Sequence, residues 1–146
     1  MKKIIIINGP NLNLLGNREQ NVYGNDSLED IKKIVEEKCS QLDIECFFCQ
    51  SNNEGELINF IHSAEKEYDG IIINPAAFTH TSVAILDALR AINKPKLEIH
   101  LSNIYTREDY RKKSVTSEGV DGLICGLGPL SYVLAIEAIS KLIYNK

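Results

Sequence analysis

Short apolar segments alternate with amphipathic segments along the chain, and this alternation constrains the possible folds more than any other feature. Five apolar segments are predicted strands: Lys2–Ile7, Asp43–Gln50, Gly70–Pro75, Lys94–Ser102 and Val120–Gly128. The intervening segments are predicted helices, including one short polar helix: Ser27–Leu42, Asn52–Tyr68, Thr81–Ile92, Thr106–Ser114 and Pro129–Lys146. Repeated strand–helix units predict an open parallel α/β sheet with helices on both faces.

The length and composition are those of an ordinary globular protein. With 146 residues, 44% of them apolar, the chain can bury a self-sufficient core, and we expect one domain over residues 1–146. A net charge of -4 argues against nucleic acid as a partner. The N-terminal MKKIIIIN lacks the cleavage site of a signal peptide, and no apolar run reaches the ~20 residues that span a bilayer. We therefore expect no membrane association and a cytoplasmic location.

Polar residues concentrate in the segments that follow the predicted strands. These segments are NGPNLNLLGNREQNVYG, QSNNEG, NPAAFTHT, HLSNIYTRE and GLGPLSY. Ligands of open parallel sheets bind outside the carboxyl ends of the strands, so these five segments together predict the binding edge. The sequence has no GxGxxG after its first strand and no GxxxxGK[ST], which argues against dinucleotides and nucleoside triphosphates. GLGPLS could bind an anion on helix N-terminal amides, or it could reflect tight packing alone.

The CFFC motif does not predict a redox or metal site. Cys46 and Cys49 lie in a predicted strand, where residues three apart point to opposite faces of the sheet. A thioredoxin-type pair instead lies at a helix N-terminus, where the helix dipole lowers a thiol pKa. No second Cys/His pair occurs at the spacing of metal ligands. We interpret both cysteines as buried and inert.

Several titratable residues at the binding edge suggest acid–base chemistry. His100 ends the fourth strand, and Glu98 points to the same face, so this carboxylate could orient the imidazole and raise its basicity; a purely structural histidine is the alternative. His80 lies at a strand-to-helix turn, either as a cap or as a site residue. Asp87 follows seven residues later and should share a helical face with His80. It is either solvated or a subunit contact near a neighbour's site.

The long segment after the first strand carries one arginine and one tyrosine, Arg18 and Tyr23. A phenol has an ordinary pKa of about 10, so it acts as a base near pH 7 only where its surroundings favour the phenolate, as a nearby guanidinium does. A loop rich in Gly and Asn can close over bound substrate and exclude water. The segment is therefore either a catalytic lid or a mobile loop with no catalytic role.

The longest motifs of the chain are NGPNLNLLGNREQNVYG, NPAAFTHTSVAILDAL, EIHLSN, TREDYRKKS and GLGPLSYVLAIEA. Together and in this order they resemble the type II 3-dehydroquinate dehydratase family of the shikimate and quinate pathways. The resemblance covers nearly the whole chain and implies a flavodoxin-like α/β fold with a five-stranded parallel sheet. The chain departs from the family's usual residues at Gln20 and Pro129, neither of which is a catalytic position.

The resemblance also implies a role for each residue of the predicted site. Tyr23 would be the base that removes the C2 proton of 3-dehydroquinate, and Arg18 would favour its deprotonation. His100, oriented by Glu98, would be the acid that protonates the departing C1 hydroxyl. Asn11 would hold a water at the enolate oxygen. The remaining positions match substrate-binding groups: Asn74, His80 and Arg111 for hydroxyls, Leu101 and Ser102 for the carboxylate, and Asp87 from a neighbouring subunit.

The implied reaction is an anti elimination of water through an enolate, giving 3-dehydroshikimate with no metal and no organic cofactor. The edge segments lack a lysine, so we expect no Schiff base with the substrate. The family's usual assembly is a homododecamer built from trimers.

Two alternative functions remain open. One is a flavodoxin-like module that binds a phosphate or a flavin, and the other is an enzyme of this fold that acts on another hydroxylated keto acid.

Overall fold

The computed structural model describes residues 1–17 and 19–145. In this part of the chain, strands and helices alternate as predicted. The strands are β1 (Lys2–Asn8), β2 (Ile44–Gln50), β3 (Gly70–Asn74), β4 (Lys96–His100) and β5 (Gly122–Cys125). The α-helices are α1 (Gln20–Tyr23), α2 (Leu28–Gln41), α3 (Glu54–Glu67), α4 (Val83–Ala91) and α5 (Leu130–Tyr144).

The five described strands form one parallel sheet in the order β2-β1-β3-β4-β5, which is the flavodoxin-like order. Alternate side chains of β1 enter two separate cores. Ile4 and Ile6 pack with residues of α2 and α5 on one face, and Ile5 and Ile7 pack with residues of α3 and α4 on the other. Each isoleucine is at most 1% exposed, and its burial contributes about 1.5–3 kcal/mol. The predicted sheet with helices on both faces is confirmed.

Local capping residues define where the helices begin. Ser27 and Asp30 form the reciprocal capping box of α2, with hydrogen bonds of 3.0 and 3.1 Å. Ser82 caps α4 by accepting from the backbone N–H of Ile85 at 2.9 Å. The helix therefore starts after Ser82, and His80 lies in a separate 3₁₀-helix, Ala76–His80. The prediction that His80 and Asp87 share one helical face is wrong for this reason.

The predicted short helix over Thr106–Ser114 is also wrong. This segment instead contains parts of two 3₁₀-helices, Ile104–Thr106 and Asp109–Arg111. None of the three residues of the second 3₁₀-helix is buried, so the segment has no apolar stripe to pack on the core. Short helices without such packing are marginal in water.

A buried polar network joins β1 and β3, the neighbouring strands at which the strand order reverses. Asn8 and Asn74 are register partners at the carboxyl ends of these strands. The hydroxyl of Tyr132, which is fully buried on α5, donates to Asn8 Oδ1 at 2.6 Å and accepts from Asn74 Nδ2 at 3.2 Å. Asn8 Nδ2 in turn donates to the carbonyl oxygen of Cys49 at 2.9 Å. These side chains fill the sheet edge beneath the binding region.

The CFFC cysteines point to opposite faces, as predicted. Cys46 packs against the core that contains Ile4, and Cys49 packs against the core that contains Ile5. Both are half-buried rather than buried, and burial together with the charge of Glu56 raises the pKa of Cys49 to about 12. Within the described residues, no group of three or more His, Cys, Asp or Glu could hold a metal ion. No described helix has both the length and the apolar character to cross a bilayer.

Candidate active site

A pocket of about 90 Å³ opens at the carboxyl edge of the sheet. Three of the five predicted edge segments, those after β1, β3 and β4, contribute to its lining among the described residues. The lining residues are Pro10, Asn11, Leu12, Tyr23, Asn74, Ala76, Ala77, His80, His100, Leu101, Ser102, Ile104, Arg107 and Arg111. The segments after β2 and β5 contact these lining segments from outside the pocket, through Asn52 and through Gly126 and Gly128.

The ionisable groups of the pocket are a phenol, two imidazoles and two guanidiniums: Tyr23, His80, His100, Arg107 and Arg111. No Asp, Glu or Lys occurs among its described lining residues. The pocket is therefore locally basic, although the chain as a whole has a net charge of -4. A basic concave site favours an anionic ligand.

His100 and Glu98 form a buried imidazole–carboxylate pair at the end of β4. His100 Nε2 lies 2.7 Å from Glu98 Oε2, and the two residues are 5% and 0% exposed. Burial acts to raise the pKa of Glu98. The hydrogen bond and charge of His100, together with hydrogen bonds from Thr116 and Thr79, outweigh burial and hold the pKa of Glu98 below its ordinary value. An ionised Glu98 accepts the Nε2–H of His100. Nδ1 is then the nitrogen that can exchange a proton with a ligand.

The phenol of Tyr23 lies beside a guanidinium that the sequence reasoning missed. Arg107 Nη1 donates to Tyr23 Oη at 2.8 Å, and Arg107 Cζ lies 5.2 Å from the centre of the tyrosine ring. The guanidinium therefore gives the phenol oxygen a charge-assisted hydrogen bond. The motif TREDYRKKS contains both Arg107 and Arg111, so the presence of two arginines at the binding edge is the one sequence signal that could have made Arg107 a candidate site residue. Arg18, the predicted partner of Tyr23, lies outside the described residues.

His80 lines the pocket as a neutral hydrogen-bonding group. Its Nδ1 lies 2.7 Å from the carbonyl oxygen of Lys113, so Nδ1 carries the proton of this hydrogen bond. Burial lowers the pKa of His80, the bond to Lys113 partly opposes this effect, and the charges of His100, Arg111 and Arg107 lower the pKa further. In the neutral ring Nε2 is an acceptor, which suits a ligand hydroxyl.

The neighbouring lining residue Arg111 forms an ion pair, in which its Nε lies 2.8 Å from Glu108 Oε2.

Asn11 and Ala76 line the pocket in the left-handed backbone region, with φ values of 69° and 53°. Such strain in residues other than glycine occurs most often at functional sites. The N–H of Asn11 donates to Asn52 Oδ1 at 2.9 Å, which ties the first loop to the segment after β2. Asn74 Oδ1 accepts from the N–H of Ala76, and its Nδ2 already donates to Tyr132, so one amide hydrogen of Asn74 is left for a ligand.

The first loop is only partly anchored by its leucines. Leu12 and Leu15 are buried in the core, whereas Leu14 is 45% exposed. Gly9 precedes this loop at a point of very close approach. A Cβ there would lie 2.4 Å from the carbonyl oxygen of Pro75, so only glycine fits without a backbone shift.

Leu101 and Ser102 line the pocket directly after β4. The glycine-rich segment after β5 supports this turn from behind. Gly126 N–H donates to the carbonyl oxygen of His100 at 3.2 Å, and Gly128 N–H donates to that of Leu101 at 3.0 Å. These contacts favour the tight-packing interpretation of GLGPLS. Asp87 lies on the exposed face of α4 and does not line the pocket within one chain.

The fold and the site together define a flavodoxin-like enzyme that carries out acid–base chemistry on a small anionic molecule. Residues 2–140 match the family described as dehydroquinase class II. A protein of Thermoanaerobacter pseudethanolicus named 3-dehydroquinate dehydratase is 54% identical over 142 residues, which are 97% of this chain and 96% of the relative. This chain therefore belongs to the class II dehydroquinase family.

Solved structures of similar proteins agree with this assignment. A type II dehydroquinase from Butyrivibrio crossotus superposes with a TM-score of 0.93 at 45% identity, covering 94% of this chain and 97% of the other. A type II dehydroquinase from Propionibacterium acnes superposes with a TM-score of 0.94 at 38% identity, covering 97% of both chains.

Proposed function

We propose that this chain catalyses the dehydration of 3-dehydroquinate to 3-dehydroshikimate in the shikimate pathway of aromatic amino acid biosynthesis. The observation that carries the proposal is the meeting of a Tyr23–Arg107 pair and a His100–Glu98 pair at one basic pocket. A β-hydroxy ketone loses water readily only when a base takes its α-proton and an acid protonates its hydroxyl. Membership of the class II dehydroquinase family supports the choice of substrate.

In the proposed first step, Tyr23 acts as a phenolate and removes the C2 proton, which is acidic because it lies next to the ketone. The Arg107 guanidinium, 2.8 Å from the phenol oxygen, would be a charge-assisted hydrogen-bond donor to it in this step. Arg18 would favour the deprotonation of Tyr23, as the family resemblance implies. The resulting enolate oxygen would be stabilised by a water held by Asn11.

In the proposed second step, His100 donates the proton on Nδ1 to the departing C1 hydroxyl, which leaves as water. Glu98, ionised and bound to Nε2, stabilises the imidazolium that performs this donation. The proton taken by Tyr23 must then return to His100 by way of solvent to restore the starting state. One proton leaves C2 and one hydroxyl leaves C1, so substrate equals product plus water and no redox step is needed.

The other lining residues would bind the substrate. We assign the substrate carboxylate to the turn at Leu101 and Ser102, within the basic surroundings of the pocket. Its hydroxyls would donate to His80 Nε2 and contact Asn74 and Arg111. The four cysteines are all free thiols, which fits a reducing compartment, so a cytoplasmic location is part of this proposal.

A steady-state assay on 3-dehydroquinate tests the function directly, because the product is a conjugated enone that absorbs in the ultraviolet. We expect turnover that survives treatment with a chelator and needs no added cofactor. The same assay on other hydroxylated keto acids addresses substrate choice. Absence of turnover on 3-dehydroquinate with a folded protein would contradict the proposal.

We further propose a homododecamer built from trimers, in which Asp87 contacts a neighbour's site. Asp87 lies on the exposed face of α4, four residues after Val83, an apolar residue that is 57% exposed. A subunit contact on this face would cover Val83, and the family resemblance implies the assembly itself.

Sedimentation should give a particle of about 197 kDa, which is twelve chains of 16.4 kDa. Asp87→Asn should lower kcat at least about tenfold, because it removes a charge near the neighbour's site. Glu118→Gln, at another exposed acid, is the matched control and should have no effect. A fully active monomer would contradict the shared-site proposal.

A further inference from the structure

Three hydroxyl groups surround the carboxylate of Glu98. Thr116 Oγ1 donates to Oε1 at 2.5 Å, and Thr79 Oγ1 and Ser114 Oγ donate to Oε2 at 2.9 and 3.1 Å. Thr79 Oγ1 also lies 2.6 Å from the hydroxyl oxygens of both Ser114 and Thr116. Thr79 and Thr116 are fully buried. We call Thr79, Ser114 and Thr116 the hydroxyl cluster.

The hydrogen-bond inventory of the hydroxyl cluster favours an ionised Glu98. Each hydroxyl has one proton to donate, and the carboxylate is the member of the group that accepts without donating. All three hydroxyl protons can point to an ionised Glu98, whose two oxygens have lone pairs for them and for the His100 N–H. A protonated Glu98 would offer one of its oxygens as a donor and would accept fewer of these hydrogen bonds. His100 consequently contacts a full negative charge.

Few other groups in the vicinity can supply this support. The strand neighbours of Glu98 are apolar, with Ile73 opposite on β3 and Leu123 opposite on β5. Among the charged or titratable side chains on the surrounding described elements, Lys96 on β4 is buried and its Nζ donates to the carbonyl oxygens of Ile92 and Lys94, and Cys125 on β5 is half-buried. The other side chains line the pocket or are exposed. Those at the pocket are His80, His100, Arg107 and Arg111, and those at the surface are Asp87, Arg90, Lys113 and Glu118.

The hydroxyl cluster also connects Glu98 to the other pocket histidine. Val115 N–H donates to the carbonyl oxygen of Thr79 at 2.6 Å, and the Lys113 carbonyl accepts from His80 Nδ1 at 2.7 Å. Segment 113–116 therefore contacts Thr79 and His80, which are successive residues. The same segment also contacts the Glu98 carboxylate, which is bonded to His100. A shift of this segment would move the supports of both imidazoles together.

We propose that Thr79, Ser114 and Thr116 are positioning residues that keep the Glu98 carboxylate ionised and directed at His100. They act through Glu98 and His100 and do not touch the substrate. The inference rests on the proposed function, since it assigns His100 as the proton donor. Its primary test is nevertheless independent of turnover.

The primary test is a titration of the Glu98 side-chain carbon by NMR in protein labelled with ¹³C at glutamate. Removing one donor in Thr116→Val should raise the pKa of Glu98 by about 0.5 or more, because a hydrogen bond to the charged form is lost. Thr116→Ser keeps the hydroxyl and should titrate like the wild type. Thr81→Val, at an exposed threonine two residues after Thr79, is the control and should also match the wild type. An unchanged Glu98 titration in folded Thr116→Val would overturn the proposal.

The kinetic test separates positioning from general stability. Thr116→Val should lower kcat about 10- to 100-fold and change KM less than about threefold, since the acid step is affected and substrate binding is not. Thr116→Ser should restore kcat to within about threefold. Equal losses in both variants would indicate a packing role alone and overturn the proposal.

If Thr116→Val does not fold, the half-buried Ser114 offers a second test. Ser114→Ala should raise the pKa of Glu98 and lower kcat in the same directions, and Ser63→Ala on α3 is its control. No change in either quantity would overturn the proposal. If the wild type itself shows no turnover, the proposed function fails, and the NMR titration still tests the hydroxyl cluster.

Discussion

Tyr23→Phe should lower kcat about 1,000-fold while the protein stays folded. The variant retains the ring but lacks the oxygen that takes the C2 proton, and general base catalysis contributes about 100- to 10,000-fold. A 1,000-fold loss corresponds to about 4 kcal/mol in the activation barrier. Loss of the hydrogen bond from Arg107 should cost no more than about 1.5 kcal/mol of the free energy of unfolding. Steady-state kinetics and thermal unfolding measure the two quantities separately.

Tyr105→Phe is the matched control for this variant, because Tyr105 is 51% exposed and does not line the pocket. It should have wild-type kcat. If Tyr23→Phe keeps more than about a tenth of wild-type kcat, a loss below 1.4 kcal/mol, Tyr23 is not the base.

His100→Ala should also lower kcat by about 1,000-fold, because the hydroxyl at C1 then leaves without a proton donor. This variant should unfold more easily as well. Removing the partner leaves Glu98, a carboxylate with no exposed surface, with one fewer hydrogen-bond donor, which costs about 1–3 kcal/mol. Kinetics and denaturant unfolding at pH 7 measure the two effects.

A double variant distinguishes these two effects. His100→Ala with Glu98→Gln removes the buried charge, so it should regain part of the lost stability without regaining turnover. His62→Ala, at an exposed histidine on α3, should behave like the wild type. Recovery of turnover in the double variant would contradict the assignment of His100 as the acid.

The pH dependence of stability should reflect Glu98. Its pKa is held below the ordinary 4.5, so the ionised form stabilises the fold above about pH 4.5, and this contribution is lost as the pH falls through the lowered pKa. Thr116→Val should lose the contribution at a higher pH than the wild type.

The order and type of the main elements could be predicted because the periodicity of the apolar residues follows directly from their burial. Ile4 to Ile7 are all apolar because both faces of β1 are covered, and Leu57, Ile61 and Ala64 recur at helical spacing because one side of α3 is buried. Segment Thr106–Ser114 was predicted wrongly because its polarity was compatible with several local structures.

The candidate site could be predicted at the level of its residues but not of its hydrogen bonds. The strand period of two brings Glu98 and His100 to one face, and this pairing is visible in the sequence. The contact between Tyr23 and Arg107 joins residues that are 84 positions apart, so no local pattern encodes it. The sequence does not indicate the hydroxyl cluster for the same reason, since Thr79, in the 3₁₀-helix Ala76–His80, meets Thr116, in the 3₁₀-helix Thr116–Gly119, only in the folded chain.

The polar network of Asn8, Asn74 and Tyr132 limits how the substrate range of this enzyme could be altered. Asn74 lines the base of the pocket, Asn8 and Tyr132 support it by hydrogen bonds, and these bonds also join β1, β3 and α5. A substitution that deepened the pocket there would leave buried polar groups without partners and weaken the junction of three elements. The walls at Ala77 and Ile104 lie in connecting segments outside this network. Laboratory evolution toward larger hydroxy ketones should therefore accumulate its changes in the walls and leave the base intact.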